Sequence, residues 1–306
     1  MTNTILGKSN LSVPRVAVGC MRIADMEFGQ LERFIKNAMD MGANFFDHAD
    51  IYGNGACEEV FARAVDMTPS AREKMILQSK CGIVPGLMYD FSKEHILKSV
   101  DGILKRLQTD YLDVLLLHRP DALMEPEEVA EAFDKLKQQG KVRHFGVSNQ
   151  NPMQMELLQK YLKRPLVSNQ LQFSIMNCNM VSNGMNVNMA TDSAICRDGS
   201  VLDYCRLHDI TIQTWSPFQY GFFEGVFLNS DKFPELNQCL SQIAEKYQVT
   251  TITIAIAWIL RHPAKMIAVT GTTNEQRLAE CMKAMDIILT REEWYEIYRL
   301  AGNVLP

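Results

Sequence analysis

Short apolar runs alternate with stretches of helical period from one end of the chain to the other. The runs fall at residues 16–19, 44–47, 75–80, 112–118, 142–148, 166–172, 211–215 and 266–270, eight in all. The 112–118 run is interrupted only by Asp113 before it stops at His118, the pattern of a parallel strand covered on both faces. Between the runs, Leu31, Phe34, Ile35, Ala38 and Met39 recur on one helix face, and Gly42 stands where a left-handed C-terminal cap is wanted. Ile96, Val100, Ile103, Leu104 and Leu107 make a second stripe. Pro126 opens a third helix whose stripe is Val129, Ala132, Phe133 and Leu136, and Gly140 closes it. Asn151 before Pro152, and Asn274, mark the starts of two more.

Strand and helix alternate eight times with no Pro/Gly/Ser linker or block of like charge between them. That predicts one domain spanning residues 1–306, of the α/β class, built as a (β/α)8 TIM barrel. An open doubly wound sheet is the alternative the pattern allows. Residues 4–13 hold a Gly-Lys-Ser-Asn turn between short apolar stretches and predict an N-terminal β-hairpin. Residues 174–199 predict a long polar loop after strand six, rich in Met and Asn.

Length agrees with this reading: a barrel takes about 250 residues, and the surplus in the 306 falls in the hairpin, the loop and the segment beyond Thr290. With 47% hydrophobic and 22% charged residues the chain can build a core without disulfides or metal, and disorder, collagen and coiled coil are excluded. The net charge of −5 argues against bulk binding of nucleic acid or anionic membrane, while leaving room for a local basic pocket. Residues 1–10 lack a signal-peptide pattern, and the longest apolar run, 254–260, is far short of the ~20 residues that span a bilayer. A cytoplasmic protein is expected, monomeric or weakly homo-oligomeric, with no nucleic-acid or membrane partner. The eight cysteines include no CxxC pair and read as reduced, mostly buried thiols rather than disulfides or a metal site.

In a barrel, the residues ending the strands line the mouth where chemistry occurs. Asp47 ends the second run with Tyr52 just beyond it, Lys80 ends the third, His118 the fourth, and Ser148 and Asn149 lie at the end of the fifth. Singly, Asp47 reads as a turn cap, Lys80 as surface charge and His118 as a satisfied barrel-edge histidine. Together they set a carboxylate, an ammonium, a phenol and an imidazole around one point. The ammonium lowers the phenol pKa from about 10, the carboxylate holds the ammonium, and the imidazole orients a carbonyl. The chemistry expected is a tyrosine tuned as proton donor.

With these motifs in this order, the chain resembles the aldo-keto reductase superfamily over essentially its whole length, and in particular its bacterial NADP-dependent oxidoreductases. The matching segments are 19–22, 47–52, Lys80, His118, 146–149, Asn169 with Gln170, 215–218 and 271–281. The resemblance implies an enzyme that reduces aldehydes or ketones to alcohols with NADPH/NADP+ as cofactor. Hydride passes from nicotinamide C4 to the carbonyl carbon, and Tyr52 protonates the oxygen. Lys80, paired with Asp47, depresses the Tyr52 pKa, and His118 orients the carbonyl. For the cofactor, the resemblance implies Gly19, Cys20, Met21 and Asp47 beside it and Ser148, Asn149 and Gln170 on the carboxamide. Trp215 stacks under the ring, Ser216 and Phe218 meet the pyrophosphate, and Gly271, Thr272, Arg277, Glu280 and Cys281 lie at the adenosine end. Many relatives carry lysine in place of Gly271 and asparagine in place of Cys281. Glu280 has a plainer reading as a solvated helix charge.

No GxGxxG is present, and Gly53-Asn54-Gly55 reads as a tight turn, so a nucleotide must be held by loop ends. The 271–277 segment feeds a loop into a helix N-terminus, where free N–H groups and Arg277 favour a phosphate and hence NADP. Met21, Tyr52, His118 and the loop with Met176, Met180, Met185 and Met189 are expected to wall the substrate pocket. Adaptable methionines there predict broad specificity for small or aromatic aldehydes; the plainer reading is that they anchor the loop. Two other functions fit the same barrel. One is a nucleotide-binding regulatory subunit like the potassium-channel β-subunits, disfavoured by the intact tetrad and by a chain that starts directly at the barrel. The other is a lyase using Lys80 to form a Schiff base.

Overall fold

Eight parallel strands pair in chain order and close on themselves: β1 Val16–Gly19, β2 Phe45–Asp47, β3 Ile76–Cys81, β4 Leu112–Leu117, β5 Val142–Ser148, β6 Ser168–Gln172, β7 Thr211–Trp215 and β8 Ile267–Thr270. The computed structural model describes residues 3–303. Closure is made by β8 on β1, with Thr270 opposite Val18, which rules out the open doubly wound sheet. Strand limits differ from the apolar runs by no more than two residues, and His118 sits one residue beyond β4.

Alternation along each strand sorts side chains between two cores. Val114 and Leu116 of β4 point inward with Ala17, Phe45, Ile76, Ile267 and Val269, while Leu115 and Leu117 point outward to the helices. The outer core receives the predicted stripes: all five stripe residues of the helix Lys93–Leu107 are buried, as are the four stripe residues of Pro126–Gln138. Of the stripe on Phe28–Asp40, Met39 is only partly buried. Gly42 and Gly140 follow their helices in left-handed conformation, as the caps require. Asn151 completes a capping box, and Asn274 accepts from the Arg277 backbone N–H.

The N-terminal hairpin is present: Asn3–Ile5 pairs antiparallel with Ser12–Pro14. Its Leu6 and Val13 pack onto Phe45, Ile76, Val114 and Val167, flooring the barrel at the ends where strands begin. Residues 174–199 are less open than expected, since they contain the helix Asn179–Met185 and a short 3-10 turn, Asp192–Ala194. No described helix is long and apolar enough to cross a membrane. Seven of the cysteines are buried free thiols and Cys196 is exposed. No group of His, Cys, Asp and Glu among the described residues could hold a metal.

Candidate active site

Above the apolar floor the barrel interior turns polar. Asp47 on β2, Gln78 and Lys80 on β3, Gln170 on β6 and Gln213 on β7 are all buried and face one another. Asp47 Oδ1 accepts from Gln78 Nε2 at 2.6 Å and Gln170 Nε2 at 3.1 Å, and Oδ2 accepts from Lys80 Nζ at 2.8 Å. Gln213 Oε1 receives the same two glutamine amides at 2.7 and 3.0 Å and returns its own Nε2 to Gln78 Oε1 at 2.8 Å. Each of these five side chains is thereby paired, as a low-dielectric interior demands.

Lys80 has no solvent exposure, and all three of its N–H bonds are spoken for: Asp47 Oδ2 and the His48 carbonyl at 2.8 Å, and the Tyr52 hydroxyl at 3.0 Å. Burial alone would lower its pKa, but Asp47 and Tyr52 more than offset that and hold it above its ordinary value. The sequence led us to expect a depressed Tyr52. Burial instead raises the phenol pKa; Lys80 pulls it back down as foreseen without cancelling the rise, and Asp47 adds to it. His118 lies edge-on to Tyr52 with ring centroids 6.0 Å apart, its pKa well below the ordinary range through burial, Lys80 and Arg119. It is therefore a neutral imidazole.

These groups open into a cleft of about 640 Å³ lined by Tyr52, His118, Ser148, Asn149, Gln170 and Trp215 among others. Asn149 and Ser216, which follow β5 and β7, both adopt left-handed backbone, φ 58° and 52°. Strain of this kind at two strand ends of the mouth, on either side of β6, is a mark of functional loops. Trp215 Nε1 donates to Asn149 Oδ1 at 3.2 Å, and Asn149 Nδ2 donates to Ser148 Oγ at 2.8 Å. At the far end of the cleft stand Gly271, Thr272, Arg277 and Cys281, beside the start of the helix Glu275–Lys283.

Of the expected site residues, Gly19, Met21, Asp47, Tyr52, His118, Ser148, Asn149, Gln170, Trp215, Ser216, Phe218, Gly271, Thr272, Arg277 and Cys281 line the cleft, with Lys80 just beneath. Two do not. Cys20 is buried, with its thiol directed at the Val18 carbonyl, and Glu280 stands off the cleft while its backbone carbonyl accepts from Thr253.

The methionine loop is also absent from the wall, a correction with a clear cause. Met180 is buried, Met176 and Met185 pack partly against the outer core, and Ser182 bonds Tyr298 and Asn303, so the segment is tied to the C-terminal helix Arg291–Leu300. The wall comes instead from residues 216–229. There Gln219–Tyr220 and Gly225–Val226 form a small hairpin carrying Phe222 and Phe223, and Phe223 stacks on Trp215 at 5.8 Å. Its sequence signal was Gly221 and Gly225 bracketing aromatics. Gln78 and Gln213 were missed as well, because one-dimensional spacing does not reveal which polar residues a closed barrel turns inward; Arg22 and Arg119, which lie in the loops after β1 and β4 and line the cleft, were also missed.

A (β/α)8 barrel with a tyrosine, a lysine and a histidine converging at its C-terminal mouth has the build of a barrel enzyme. The Aldo/keto reductase family model matches residues 15–301, and the chain belongs to that family of oxidoreductases. It is 34% identical over 303 residues to the uncharacterized oxidoreductase YcsN of Bacillus subtilis (strain 168), covering 94% of each chain. It is 32% identical over 304 residues to a 6-dehydroglucose reductase of Agrobacterium fabrum, covering 95% of each. An aldo-keto reductase from Klebsiella pneumoniae, solved in complex with NADPH, matches in fold with a TM-score of 0.78 at 24% identity, over 100% of this chain and 98% of that one.

Proposed function

We propose that the protein reduces an aldehyde or ketone to the alcohol with NADPH as reductant. The observation that carries this reading is the Lys80 ammonium, which hydrogen-bonds Asp47 and the Tyr52 hydroxyl together at the base of an open cleft. The residues present suit the cofactor. Gln170 commits its amide N–H groups to Asp47 and Gln213, leaving Oε1 as an acceptor for a carboxamide N–H. The Arg277 side chain has no protein partner among the described residues and lies in the first turn of a helix, suited to the 2′-phosphate of NADP. Ser148, Asn149 and Trp215 would hold the nicotinamide end, and Ser216, Phe218 and Thr272 the stretch between.

Bound there, NADPH supplies a hydride to the carbonyl carbon. The chain's own task is the accompanying proton. Tyr52, a phenol with an ordinary pKa of about 10 that burial raises further, is protonated at neutral pH and donates to the carbonyl oxygen, and Lys80 stabilises the phenolate left behind. Neutral His118 offers an N–H that orients the carbonyl without competing as an acid. A Schiff-base role for Lys80 has no support here, because that chemistry needs a depressed amine pKa and this ammonium is held charged.

Tyr52→Phe is expected to lower carbonyl turnover about 10²–10⁴-fold while NADPH still binds, read by cofactor fluorescence. Wild-type turnover in that variant would refute the assignment. Absence of multiple turnovers in the wild type would favour the regulatory-subunit reading instead.

A further inference from the structure

The chain carries a net charge of −5, yet its cleft is lined by three arginines, Arg22, Arg119 and Arg277, and a single carboxylate, Asp47. Asp47 is already matched by Lys80, Gln78 and Gln170. With Arg277 at the adenosine end, Arg22 and Arg119 remain on the side of Tyr52 and His118. Arg22 follows β1 and Arg119 follows β4, so in the barrel order they flank the strands that lead to Tyr52 and Lys80.

Arg119 is the informative one. Among the described residues, five arginines are buried or half-buried: Arg15, Arg72, Arg106, Arg119 and Arg261. Arg15 and Arg261 donate to backbone carbonyls, Arg72 to Asp113 and two carbonyls, and Arg106 to Glu58. Arg119 alone has neither a hydrogen-bond acceptor nor a carboxylate partner in the described protein. Its guanidinium lies 5.7 Å from the Trp215 ring centroid, a cation–π contact that leaves its N–H groups unused. A partly desolvated cation with five open donors, next in sequence to His118 and lining the cleft, is an anion-binding group awaiting its anion.

We infer that Arg119, aided by the charge of Arg22, selects carbonyl substrates that carry a negatively charged group, a carboxylate or a phosphate ester, placed away from the reacting carbon. This rests on the reductase reading and narrows its substrate class. It also replaces the broad-specificity argument from the methionine loop, which does not reach the cleft.

The test compares NADPH-dependent reduction of 4-carboxybenzaldehyde, 4-formylphenyl phosphate and the neutral methyl 4-formylbenzoate, with NADPH affinity measured alongside. The wild type is expected to favour at least one anionic aldehyde over the neutral ester about tenfold or more in kcat/KM, the scale of one charge-assisted hydrogen bond. Whichever anion is favoured identifies the group. In Arg119→Met that ratio should fall towards one, and Arg119→Lys should restore part of it, with NADPH affinity held in both. A ratio near one in the wild type, or a ratio retained in Arg119→Met, overturns the inference while leaving the reductase reading intact. Loss of NADPH affinity in Arg119→Met also overturns it, by assigning the guanidinium to the cofactor. No turnover of any of the three aldehydes, or of neutral carbonyls generally, removes the reductase reading and the inference with it.

Discussion

Buried carboxylates are arranged here so that most have a partner, and Asp50 is an instructive exception. Behind the Tyr52 turn, Glu58 accepts from Ser79 and Arg106, but Asp50 Oδ1 is buried with no partner. Burial first, then the neighbouring Glu58, raises the Asp50 pKa to about 7. In the unfolded chain it ionises near 4. The folded state therefore binds this proton more tightly, so its contribution to stability is complete below about pH 4 and is lost as pH rises towards 7. Asp50→Asn removes the ionisation. Its stability relative to wild type, measured by urea denaturation, should improve steadily from pH 4 to 7 and then level off. A difference independent of pH would contradict the assignment. No sequence pattern announced this, because Asp50 sits in the same short motif as Asp47 and only the fold separates their surroundings.

Elements were legible where a period reports burial and illegible where it does not. The stripes at 96–107 and 129–136 have a helix repeat and went to the core as read, since the apolar face of an amphipathic helix has one place to go. The Met-rich segment misled because methionine serves equally in a core and in a pocket wall. The structure turns Met180 of the helix Asn179–Met185 into the core and packs Met176, in the turn before it, partly against the same core. The 274–277 helix start was readable from the Asn274 cap, and it leads to a prediction at this scale. Arg277→Leu removes the open cation while Asn274 still caps the backbone N–H of residue 277. The KM for NADPH should rise about ten- to a hundredfold, with that for NADH little changed. An equal loss for both cofactors would place Arg277 on a part they share.

At the scale of the whole molecule, the barrel works because its interior is filled rather than hollow, and one glycine shows how closely. Gly146 lies on β5 between β4 and β6, and a Cβ there would come within 2.7 Å of Leu116 Cδ2, the Ser168 carbonyl oxygen and the Ser168 hydroxyl. The Leu116 tip could yield, but the β6 backbone could move only by disturbing its pairing with β5. That same pairing sets Gln170 opposite Ser148, two residues nearer the cleft. Gly146→Ala is therefore expected to cost about 1–3 kcal/mol of stability, the usual range for overpacking, and to weaken NADPH binding through the displaced Gln170. Gly271 provides the control: it lines the cleft too, but a Cβ there meets nothing within 4 Å. Gly271→Ala should change stability by no more than about 0.5 kcal/mol. Equal effects from the two alanines in calorimetric unfolding would show that neither close packing at Gly146 nor the coupling of barrel interior to cleft has been described correctly.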